Sequence, residues 1–267
     1  MGDIVRSNDE KNSNVQVWSE GEQQHEGDSI FTGFMSEMEN ETFLNTKFND
    51  VSELKHVWNG WDFEASNAFR SEYGDIAYLL YVPVDQSLLQ ALLGFWNSAY
   101  SCFTIGDFDL TPTIKEYQDL VNCKKVKENR IYSKTSKNKP FRVKLQKLSD
   151  TLMSWVDHQV ITWNNKEYLK VDGILALASV HPTGMVQRNL FALLIYGLVL
   201  FPKALGFIHP VVLDLFDRLA EGGNLVPMIL SKNFPSLRFC RKHGGGSFLR
   251  VPSTFDSLVL QSPLGGC

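Results

Sequence analysis

The chain has 267 residues, 43% of them hydrophobic and 12% aromatic, and a formal net charge of −4. That is enough apolar material for one large buried core or two smaller ones, and it excludes a chain disordered throughout. Four widely spaced cysteines, none in a C-x-x-C pair, point to neither a zinc site nor a disulfide framework, and fit a reducing compartment.

Residues 1 to 50 hold eleven acids against Arg6, Lys11 and Lys47, a balance of −8 that leaves +4 for the rest. The first residues, "MGDIVRSNDEKNSNVQ", have no basic start leading into an apolar run, so they do not read as a secretory signal. Such an acidic, Asn/Gln/Ser-rich leader cannot offset the entropy of ordering its backbone, and residues 1–49 are expected to be disordered.

From residue 51 the pattern is helical. Val51, Leu54, Val57, Trp58 and Trp61 step by three and four, which places them on one face. Residues 73 to 96 read as two short helices hinged at Pro83, the second capped by Asp85 or Ser87. In "CFTIGDFDLTPTIKEYQDLV" the run from Cys102 to Ile105 is β-branched and aromatic enough to be extended, and Gly106 ends it. Thr111 is the expected N-cap of the helix that follows, with Pro112 at its first position and a second capping-box spacing at Thr113 and Glu116. Asp107 and Asp109 lie two apart and share one side of an extended segment. They lack the further oxygen ligands of a calcium loop and read as structural.

Between residues 124 and 147 ten basic side chains, Lys124, Lys125, Lys127, Arg130, Lys134, Lys137, Lys139, Arg142, Lys144 and Lys147, stand against Glu128 alone. A basic loop with Tyr132 and Phe141 available for stacking is a candidate nucleic-acid contact, because neutralised phosphates release counterions. The competing reading is a solvated connector between two helical halves. Beyond it, a helix from Pro140 carries Phe141, Val143 and Leu145 and continues to Leu152, Trp155 and Val156; another is expected over 168–180. The run "LFALLIYGLVLF", residues 190 to 201, is apolar all round. Its twelve residues fall short of the roughly 20 that cross a bilayer, so it reads as a central core helix. A last amphipathic helix carries Val212, Leu215, Phe216 and Leu219 and stops at Gly222-Gly223.

Three separated stretches, "FWNSAYSCFTIGDFDLTPTIKEYQDLV", "FALLIYGLVLFPKALGFIHPVVLDLFDRL" and "VPMILSKNFPSLRFCRK", resemble the plant mobile domain. This is a helical domain of plant transposable elements and related host genes, and the likeness is strongest to a branch classed only as a domain of unknown function. The resemblance covers roughly residues 50 to 246. It implies an all-α fold, no established catalytic residues, and a nuclear role in silencing or transcription, with the cytoplasm as the alternative location. The group's nickname, aminotransferase-like, would require a Schiff-base lysine, a carboxylate facing the pyridinium nitrogen and a phosphate cup, and none can be picked out. The glycine run at 244 to 246 has no Walker Lys-Ser/Thr after it, and there is no G-x-S-x-G or H-E-x-x-H. His56, His158, His181, His209 and His243 stand alone and read as surface or satisfied core residues.

The sequence therefore leads to an all-α domain over 50–246, with a basic connector at 124–147 and at most short strands such as 102–105. No catalytic residue, metal or cofactor is expected; a non-catalytic interaction domain is the leading reading, and an enzyme with unrecognised chemistry is the rival one. A protein partner is expected, nucleic acid is the alternative partner, and no membrane contact is foreseen. The tail, "SFLRVPSTFDSLVLQSPLGGC", departs from the apolar ending of the resembled group. Codons for residues 248–266 can be chosen so that the next frame restores that ending as "SLGCPALLILWFYSHLWG". A frameshift from about residue 247 would leave a poorly ordered tail, and would expose surface on the helices at 190–201 and 211–220.

Overall fold

The computed structural model describes residues 49–82, 86–97, 100–121, 140–163, 166–181, 184–201 and 206–220, together with the single positions Val17, Val226, Ile229, Leu230 and Leu237. The leader, apart from Val17 and Asn49, and the tail from 247 lie outside the described residues.

Helix α1 (Ser52–Asn59) begins where the Asp50 carboxylate accepts the Ser52 amide at 2.9 Å, a bond that holds the Asp50 carboxyl below its ordinary range. Its inward face is the one expected. Leu54 is buried, and Val51, Val57, Trp58 and Trp61 pack on the core. Helix α2 (Phe63–Tyr73), which the sequence reading did not single out, is capped by Asp62, whose side chain accepts from the Ala65 amide at 2.7 Å. A 3₁₀ segment (Ile76–Tyr81) and helix α3 (Gln86–Leu93) follow on either side of the expected hinge. Pro83 and Asp85 lie outside the described residues, and Ser87 sits inside α3 rather than at its cap.

The expectation of an all-α fold is corrected at two places, because among the described residues two three-stranded antiparallel sheets interrupt the helices. In the first, β1 (Trp96–Asn97), β2 (Cys102–Ile105) and β3 (Phe108–Leu110) form a meander, with Trp96 opposite Phe103 and Phe103 opposite Leu110. The two-residue turn from β2 to β3 has Gly106 at φ 62°, a conformation that costs glycine little. The run at 102–105 was legible as a strand, but its two partners were not. Helix α4 (Ile114–Val121) starts at Thr113 rather than Thr111: the Thr113 amide donates to the Glu116 carboxylate at 2.8 Å and the Glu116 amide donates to Thr113 Oγ1 at 3.2 Å. The Thr111 hydroxyl is used elsewhere and donates to the Ser101 carbonyl.

Helix α5 (Phe141–Ser149) ends at Asp150, which takes a left-handed φ of 50°, so the helix does not continue into the next segment as expected. Leu145 points inward. Val143 and Leu152, both expected inside, are exposed. After α6 (Met153–Gln159) comes the second sheet: β4 (Val160–Trp163) pairs with β5 (Lys166–Lys170), and β5 pairs with β6 (Phe207–Ile208). The helix expected over 168–180 therefore begins only at Val171, as α7 (Val171–Val180), because Tyr168, Leu169 and Lys170 are committed to the ladder.

Helix α8 (Gly184–Ile195) and the π-helical turn that extends it (Tyr196–Leu200) form the axis of the core. Every residue from Leu190 to Phe201 is buried. The exposure that a lost C-terminal helix would leave on 190–201 is thus not present, and Val212, Leu213, Leu215 and Phe216 of α9 (Val211–Ala220) are buried as well. Around α8, Phe191 stacks on Trp58 with centroids 5.8 Å apart and meets Trp61 and Phe69 at 4.9 and 5.4 Å. Aromatic pairs at these separations add to the area they bury. At Gly197 an added Cβ would come within 2.6 Å of Ile208, so the absence of a side chain lets β6 close onto the π-helical turn. The side chain of Asn49 donates to the Leu198 carbonyl at 3.1 Å, joining the start of the domain to the same turn.

Candidate functional site

The charged side chains that the sequence singled out begin to be described at α5. Helical spacing turns Lys144 toward α9, where Asp214 and Asp217, three residues apart, share one face. The Lys144 side chain is 4% exposed, and its Nζ lies 2.6 Å from Asp214 Oδ1 and 3.7 Å from Asp217 Oδ2. Arg142 forks between Asp157 of α6 and Glu167 of β5. The bond to Glu167, above all, raises the guanidinium pKa beyond its ordinary value, while partial burial works the other way. One helix thus ties α6, β5 and α9 together through two basic residues. Lys147 is exposed. Lys124, Lys125, Lys127, Arg130, Lys134, Lys137 and Lys139 lie outside the described residues.

The meander carries a second polar cluster. Thr104 Oγ1 donates to Asp109 Oδ1 at 2.7 Å, the Asn97 amide approaches Thr104 Oγ1 at 3.4 Å, and Cys102 Sγ lies 3.9 Å from it. Register explains the grouping, because Thr104 faces Asp109 and Asn97 faces Cys102 across the ladders. Burial pushes the Cys102 thiol up, the Thr104 contact opposes this, and the Asp109 charge adds to it. The sulfur is therefore held as a thiol, the form without nucleophilic or metal-binding strength. Asp109 serves Thr104, whereas Asp107 projects from the turn into solvent. Among the described residues no three His, Cys, Asp or Glu side chains are grouped to hold a metal ion.

A third contact is buried at α2. The Tyr73 hydroxyl donates to Asn189 Oδ1 at 2.6 Å, and burial, reinforced by the Glu72 charge and opposed by Arg188, pushes its pKa well above the ordinary tyrosine range. Of the histidines, His209 is buried and its Nδ1 accepts the Val211 amide at 3.2 Å, which caps α9. His158 Nδ1 donates to the Ser154 carbonyl, and His56 is exposed. These are the surface and core roles expected of them; His181 is partly buried, and His243 lies outside the described residues.

The family model for a domain of unknown function, DUF7745, matches residues 54–256, most of the 267-residue chain. The chain belongs to the DUF7745 family. Its match begins inside α1 and runs past residue 247, so the first residues of the tail assigned above to a changed reading frame are within it. No curated protein and no solved structure matches the chain. Among the described residues of this DUF7745 chain, no helix is long and apolar enough to cross a membrane. Sequence reasoning grouped Lys144 with the basic run and missed that Asp214 and Asp217 neutralise it. The available signal was the i, i+3 acid pair on one side of an amphipathic helix.

Proposed function

We propose that this DUF7745 domain is a non-catalytic interaction module that engages a protein partner, and that it derives from a transposon-encoded domain and works in the nucleus in silencing or transcription. The origin and location rest on the likeness to the plant mobile domain. The partner class rests on one observation: Arg142 and Lys144, two of the basic residues a nucleic-acid face would need, are already paired with Asp157, Glu167, Asp214 and Asp217 of the same domain. A charge spent on an internal carboxylate has little left for a phosphate, since both compete for the same donors.

The second reading, a nucleic-acid accessory protein, is favoured by the seven basic residues from Lys124 to Lys139 and by exposed Lys147. Affinity purification of the tagged full chain from nuclease-treated plant nuclei, followed by cross-linking, separates the two. A protein recovered in stoichiometric amount, cross-linked to the domain and retained by a Lys124→Glu, Lys125→Glu, Lys127→Glu variant, is the expected result. Loss of all co-purifying protein on nuclease treatment overturns the reading.

A further inference from the structure

We draw no further inference here: the strongest candidate, the exposed aromatic side chains Phe95, Tyr100 and Phe108 of the β1–β3 meander, forms no single apolar face, because Tyr100 sits in the β1–β2 connection and Phe108 beside the β2–β3 turn at the other end of the sheet, and nothing in the structure shows what covers them.

Discussion

Replacing Lys144 with Met tests whether the basic residues of α5 serve the fold. Met keeps the apolar stem and removes the charge that Asp214 and Asp217 share. At the 2.6 Å separation from Asp214, the gross Coulomb attraction is about 6 kcal/mol for an effective dielectric of about 20, most of it offset by the desolvation of both ions. What the substitution exposes is the other side of that balance, two carboxylates left facing apolar surface. Removing one member of a fully buried pair costs about 3–5 kcal/mol. Here the Asp214 and Asp217 side chains are 21% and 32% exposed, so water takes up part of the loss and about 2–3 kcal/mol is expected. In urea unfolding followed by far-ultraviolet circular dichroism, that is a midpoint lowered by about 1 M for a slope of about 2–3 kcal/mol per molar. Adding Asp214→Asn and Asp217→Asn to Lys144→Met should recover most of the loss, because no unpaired charge remains. Lys147→Met, at an exposed position, should stay within about 0.5 kcal/mol of the parent. The reasoning is refuted if Lys144→Met and Lys147→Met are equally silent in stability, or if the triple variant is no better than the single one.

Three other substitutions and conditions probe separate parts of the structure. Gly197→Ala drives a Cβ to within 2.6 Å of Ile208 and should destabilise by about 1–3 kcal/mol, read as a lower Tm in a thermal melt; an unchanged Tm would mean that β6 does not close on the π-helical turn. Thr113→Ala removes the hydroxyl that accepts the Glu116 amide, leaving only the backbone half of the capping exchange, and should cost about 1 kcal/mol, whereas Thr111→Ala, outside that exchange, should cost less; equal losses would return the cap to Thr111. Because the folded state raises the Cys102 and Tyr73 pKa values, the folded protein holds these protons when the unfolded chain has released them. Stability from this source is complete below the unfolded thiol value near 9.0 and declines as pH rises above it, so urea midpoints should fall between neutral and alkaline pH, and Cys102→Ala should flatten the first part of that decline.

The parts of the fold that were legible in the sequence are those with a local cause. The period of α1, the apolar run over 190–201 at the end of α8 and the amphipathic α9 each follow from spacing within one segment, and their buried faces are the ones expected. The second sheet was missed although part of its signal was present. Val160, Ile161, Thr162 and Trp163 are β-branched or aromatic, and the sequence that follows them, Asn164-Asn165, is a pair of residue types that favour short hairpin connections. The pairing of Leu169 with Ile208 joins residues far apart in the chain, and no local pattern announces it. Val143 was placed inside by a period of two, which a helix does not obey; the inward positions of α5 are Lys144, Leu145 and Ser149. The same limit explains Lys144. Its basic neighbours in sequence suggested an exposed strip, but its neutralising acids lie 70 and 73 positions away on α9.

Fluorescence anisotropy of a labelled DNA duplex, and separately of a single-stranded RNA, titrated with the full-length chain tests the central claim that the domain contacts protein rather than nucleic acid. Measured between about 50 and about 200 mM salt, the account predicts no saturable binding to either probe. A Kd that weakens steeply with salt, and is abolished by Lys124→Glu, Lys125→Glu and Lys127→Glu while the urea midpoint stays unchanged, would contradict it.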